Sequence, residues 1–132
     1  MIGFKYDDGG RANAGYKGKT GDCVTRAIAI ASGKGYKEVY DLINNVASKP
    51  VARSGVPKKV VAQVMKDLGF KWTATMKIGS GCKVHLKADE LPTGRVVCRT
   101  SRHLVAVIDG VVHDTYDCTR DGSRCVYGYW TM

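Results

Sequence analysis

Thr20-Gly21-Asp22-Cys23-Val24-Thr25-Arg26-Ala27-Ile28-Ala29-Ile30-Ala31 is the stretch from which the rest of the chain is read. Thr20 and Asp22 are helix N-cap types, because a short oxygen-bearing side chain can accept from the free N–H groups of a first helical turn. Val24, Ala27, Ile28 and Ala31 then recur at the i, i+3, i+4, i+7 spacing of an apolar helix face, and Gly33 fits a C-terminal stop. The pattern predicts a buried helix that opens at Cys23. A thiol placed there lies beside unpaired backbone N–H groups and the positive end of the macrodipole, which favour the thiolate. The same N–H groups can hold a developing oxyanion. Free cysteine is also among the most buried side chains, so position alone is equally compatible with core packing.

Working outward, residues 1–19 are rich in Gly, Lys and Asp and carry apolar residues only singly, which predicts an irregular arm over the surface. On the other side, Val39, Leu42, Ile43 and Val46 repeat the helical spacing and predict a second amphipathic helix opening near Tyr36. Pro57 suits the first turn of a third, with Val60, Val61, Val64, Met65 and Leu68 on its inner side and Gly69 at its end. From Phe70 the pattern changes. Phe70-Lys71-Trp72-Thr73-Ala74-Thr75-Met76 alternates as a half-buried strand does, and residues 79–94 read as a loop with at most a helical turn near 87–91. Four further strand segments are expected: 95–100, the hairpin pair 103–108 and 111–116, and 125–130. Helices first and strands after predict one α+β domain, with the helices packed on a C-terminal antiparallel sheet.

The 132 residues are enough for a single core and need no disulfide to fold. No apolar run reaches the roughly 18 residues of a membrane span, and the N-terminus has no signal-peptide h-region, so a cytoplasmic protein without a membrane partner is expected. Five cysteines, an odd number, fit reduced thiols better than a disulfide framework in that setting. The formal charge of +9 favours anionic partners. Its lysines and arginines are dispersed, however, and no basic run interleaves with stacking aromatics, so nucleic acid is a weakly supported partner. Cys82 and His85 form a Cys-x-x-His to which Cys98, Cys118 or Cys125 could add, but the paired close spacings of a zinc site are missing. No metal or cofactor is expected. Tyr127, Tyr129 and Trp130, with Arg120 and Arg124 nearby, read as an edge strand with one face packed.

Asp109-Gly110 between two apolar runs is the strongest hairpin signal in the chain. A two-residue turn there pairs Ile108 with Val111, Val105 with Asp114 and His103 with Tyr116. Side chains alternate between faces, so His103 and Asp114 share one face, diagonally opposed, while His113 and Asp117 point the other way. A one-residue error in the turn would exchange the faces and make Asp117 the candidate. A histidine beside a same-face carboxylate is the base-and-orienter half of a nucleophile triad, and also a common surface pair.

Gly21-Asp22-Cys23 opening a helix, His103-Leu104-Val105-Ala106-Val107-Ile108 about eighty residues on, and an acid on the next strand resemble the papain-like cysteine peptidases. Compact bacteriocin-leader peptidases are nearest in style. Gly21-Asp22-Cys23-Val24-Thr25-Arg26-Ala27 is also similar to the Gly-Asp-Cys-Leu-Phe-Arg-Ala pattern of ovarian-tumour-type deubiquitinases, and the resemblance spans about residues 16–117. It implies a papain-like domain over residues 1–132 in which Cys23 is nucleophile, His103 general base and acid, and Asp114 the orienting residue. The implied reaction is thiol-dependent acyl transfer on a protein or peptide, as in a cysteine peptidase or isopeptidase. The family usually carries a Gln before its cysteine as oxyanion donor. Here the segment reads Tyr16-Lys17-Gly18-Lys19-Thr20, which leaves Lys17, Lys19 and Thr20 as candidate substitutes beside the Cys23 N–H. The chain is also similar in size and style to small phage and mobile-element proteins. That style implies the alternative of a non-catalytic binding protein on the same fold, directed at a host protein or at nucleic acid.

Overall fold

A computed structural model describes residues 2–17, 21–76 and 79–132 of the chain. Three helices, α1 (Cys23–Ser32), α2 (Tyr36–Ala47) and α3 (Lys58–Asp67), are followed by most of a mixed sheet. Its strands are β1 (Gly3–Tyr6), β2 (Lys71–Ala74), β3 (Arg95–Thr100), β4 (His103–Ile108), β5 (Val111–Asp114) and β6 (Gly128–Thr131), in the spatial order β1-β5-β4-β3-β6-β2. The α+β class and the helix starts agree with the apolar spacing. The all-antiparallel sheet does not: β1 pairs parallel to β5, Gly3 opposite Val111 through Tyr6 opposite Asp114. Part of the N-terminal segment is therefore an edge strand, its alternation of Phe4 and Tyr6 with Gly3 and Lys5 being a short signal that the surrounding Gly and Asp residues masked.

Both faces of the sheet are covered. Val97, Leu104, Ala106 and Trp130 pack against Val24, Ile28, Val39, Ile43, Val64 and Met65 on the helical side. Val96, Val105, Val107 and Val112 pack on the opposite side against Leu86, Leu91, Cys118 and Val126 from the long loops. This double burial explains why β3 and β4 read as nearly continuous apolar runs. Helix α1 runs beneath β4 and is buried from Val24 to Ala31, all round rather than on one face. Gly33 ends it in the left-handed conformation, φ 75°, its N–H donating to the Ala29 carbonyl.

Two local expectations are corrected. Cys82 and Cys125 form a disulfide, so the cysteines are not all free thiols; Cys23, Cys98 and Cys118 are. The two halves of that bridge come from loops brought side by side by the His85–Cys125 strand bridge, a proximity that spacing does not encode. Asp22 is the N-cap residue by position, but its side chain makes no capping hydrogen bond. Its carboxylate is drawn instead to three donors described below, leaving the first N–H groups of α1 uncapped by a side chain. Among the described residues, no helix is long and apolar enough to cross a membrane.

Candidate active site

The site lies where β4 begins, β5 ends and α1 begins, all at one end of the sheet. The hairpin register is the one the two-residue turn requires, Ile108 opposite Val111, Val107 opposite Val112 and Ala106 opposite His113. Parity then places His103 and Asp114 in the same row of side chains. His103 Nε2 and Asp114 Oδ2 are 2.7 Å apart, both residues buried. Asp117 is engaged elsewhere, accepting from the Thr119 N–H and hydroxyl at 2.9 and 2.7 Å. The half-exposed Tyr116 ring lies tilted beside the His103 ring, the centroids 5.4 Å apart.

Helix α1 brings Cys23 to this pair. The thiol lines the same cleft as His103 and Leu104. Burial opposes ionisation of Cys23, but the polar groups of His103 and Leu104 and the charges of His103 and Arg26 outweigh it and hold the thiol below its usual range. Burial likewise opposes protonation of His103. Its hydrogen bond to Asp114, the neighbouring Cys118 and Cys23 thiols and the Asp114 charge push its pKa up to about 11. Burial would raise Asp114, yet the His103 bond and charge, the Thr115 N–H and Arg26 keep it below the usual carboxylate range. The arrangement keeps His103 protonated and Asp114 ionised at neutral pH and shifts Cys23 toward the thiolate.

A buried chain of alternating charge supports the pair from behind. Arg26 donates through Nη1 to Asp114 Oδ1 at 2.6 Å and through Nε to Asp22 Oδ1 at 2.9 Å. Asp22 also accepts from the Tyr36 hydroxyl at 2.9 Å and pairs with Arg11 of the N-terminal arm at 3.3 Å. Gly9 of the same arm presses on the Arg26 backbone so closely that an added Cβ would lie 3.0 Å from its carbonyl oxygen. Apolar spacing along α1 assigns Arg26 no role. Its signal was available: it is the one charge inside an otherwise apolar helix, four residues after an acid.

Cys23 is the partly exposed member of the free thiols, Cys98 and Cys118 being buried. It lines a cleft of about 220 Å³ with Gly21, Gly55, Thr100, Arg102 and His103. Of the oxyanion candidates, Lys19 and Thr20 lie outside the described residues. Lys17 is exposed, its carbonyl accepts from Arg53 Nη2 at 2.8 Å, and it does not line the cleft. The donor the structure offers is the open N-terminus of α1.

The zinc grouping weighed from the sequence is not assembled, since Cys82 and Cys125 bond to each other and His85 Nδ1 lies 3.2 Å from Glu90. His103, Asp114 and Cys118 do present ligand atoms within 4.8 Å of one another. A cation there would adjoin the Arg26 guanidinium already held by Asp114, so the donor set suits proton chemistry better than a metal.

No protein-family model, curated protein or solved structure matches the chain.

Proposed function

We propose that the protein is a thiol-dependent acyl-transfer enzyme of the cysteine peptidase or isopeptidase class, built on a papain-like arrangement and acting on a protein or peptide. The observation that carries this reading is the 2.7 Å contact of His103 with Asp114 beside a partly exposed Cys23 that lines the same cleft as His103. With Nε2 held by Asp114, Nδ1 is the ring nitrogen that returns and takes up protons. The Cys23 sulfur attacks an amide carbonyl carbon, and the oxyanion forms against the N–H groups that open α1. The C–N bond then breaks as the imidazolium gives its proton to the departing nitrogen. Water, deprotonated by the imidazole, attacks the thioester, releasing the carboxylic acid and restoring the thiolate.

The glutamine usual in papain-like enzymes is absent before Cys23, and one oxyanion donor fewer slows such a reaction by about 100-fold or more. Slow turnover is therefore the expectation. The direct test is alkylation by iodoacetamide at pH 7, located by mass spectrometry. Cys23 is expected to react at least about tenfold faster than glutathione, as a lowered thiol pKa requires, and His103→Ala to remove that advantage. Reaction at the rate of a model thiol would overturn the enzyme reading and leave a binding protein.

A further inference from the structure

Beside the Cys23 cleft lies a larger depression of about 590 Å³, set between α3 and strands β2, β3 and β6. Its floor is aromatic: Phe70, Trp72 and Trp130, with the two indole centroids 4.4 Å apart. Trp130 is buried, whereas Trp72 stands 46% exposed over Gly128, where an added Cβ would overlap its ring. Four cations surround this floor, Lys58, Lys59 and Lys66 from α3 and Arg99 from β3. Lys58 and Arg99 also line the Cys23 cleft, so the two cavities share a wall.

The charge here is uncompensated. Among the described residues none of the four cations has an acidic partner, while Arg26, Lys34 and Lys37 all do. Arg99 lies with its guanidinium 5.1 Å from the Trp130 ring centroid and 5.8 Å from that of Trp72, and its Nε is buried without a hydrogen-bond partner. Helix α3 adds to this: its first turn carries two lysines and no acid, and no side chain caps it. Cations are unfavourable at that end of the macrodipole, and an anion is favourable.

On the enzyme reading above, we propose that this depression is the specificity subsite, and that it takes an acidic side chain of the peptide whose amide lies at Cys23. The carboxylate is received by Arg99 and Lys58 at the shared wall, and the neighbouring apolar part of the peptide lies on Trp72. The shared wall is what favours a peptide over other anions, because the group in the larger cavity then belongs to the molecule whose amide reaches the sulfur.

The test uses full-length Cys23→Ser protein and three pools of N-acetylated, C-amidated octapeptides, randomised at seven positions and fixed as Glu, Gln or Lys at the fourth. Binding is read by isothermal titration calorimetry. The Glu pool is expected to bind about tenfold or more tightly than the Gln pool, the order of one charge-assisted hydrogen bond. Arg99→Gln should reduce that ratio below about twofold. Lys58→Glu, at an exposed helix position, should shift preference toward the Lys pool. Equal binding of the three pools would overturn the inference, as would tighter binding of oligothymidine than of the Glu pool. Iodoacetamide alkylation of the wild type reports on Cys23 separately: a fast thiol with no acid preference removes the subsite alone, and acid preference with an ordinary thiol keeps the ligand and removes the hydrolase.

Discussion

Arg26 donates to Asp114 at 2.6 Å on Oδ1, the oxygen opposite the one that holds His103. A residue three positions after the cysteine thus fixes the carboxylate that fixes the histidine, and it does so while also bound to Asp22 four positions before it. Replacing Arg26 by Met removes the cation shared by two buried carboxylates, leaving Asp22 to Arg11 and Tyr36 and Asp114 to His103. A loss of about 3–5 kcal/mol in urea unfolding is expected, the usual cost of removing one partner of a buried pair. Arg26→Lys should recover only part of it, because one ammonium cannot reproduce the two separate nitrogens that reach Asp22 and Asp114. A Met variant within about 1 kcal/mol of wild type would show the chain of charges to be incidental.

The His103–Asp114 contact ties stability to pH in a definite direction. His103 is raised from an ordinary 6.5 to about 11, so its contribution is complete below 6.5 and is lost as pH rises toward 11. Asp114 is lowered from 3.8, so its contribution is complete above 3.8 and is lost as pH falls through its depressed value. The stability difference between wild type and His103→Gln should therefore be largest near pH 5 and shrink steadily at alkaline pH. Asp114→Asn should bring the His103 ring titration, followed by NMR, down toward 6.5. A ring that already titrates near 6.5 in the wild type would contradict the site.

The Cys82–Cys125 bridge closes a loop of sequence separation 43 between segments with little regular structure of their own. Chain-entropy arguments place its contribution at about 4 kcal/mol for a loop of that size. Unfolding of the Cys23→Ser variant with and without a phosphine reductant should show a loss up to that amount. Cys98 and Cys118, buried and unbridged, should remain unreactive in the folded protein in either condition. If the reductant left the unfolding curve unchanged, the bridge would have no part in stability.

Gly128→Ala is expected to expel Trp72 from its seat, because the methyl would occupy the position of the indole ring. The cost should be about 1–3 kcal/mol, typical of overpacking. Near-UV circular dichroism from the Trp72–Trp130 pair should fall, since the ring centroids now 4.4 Å apart would separate. An unchanged spectrum would show that β6 yields instead of the tryptophan.

Local chemistry in the sequence determined the helices and the hairpin. The apolar spacing from Val24 to Ala31 requires a buried helix, and Asp109-Gly110 sets a register that puts His103 and Asp114 in one row. That row was legible because side-chain alternation is a property of the strand itself. Tertiary structure alone decided the rest. The parallel strand Gly3–Tyr6 exists because the β5 edge offers unpaired backbone groups, not because its own residues demand a strand. Asp22 bears a capping side chain that does not cap, since buried Arg26, Tyr36 and Arg11 compete for its carboxylate and burial makes that competition costly to lose. Arg99 meets the lysines of α3 only around a cavity that distant segments enclose, and Cys82 meets Cys125 only through long-range loop pairing. The sequence carried whatever depends on neighbours a few residues apart; contacts between distant segments, whose partners are chosen by packing, it did not.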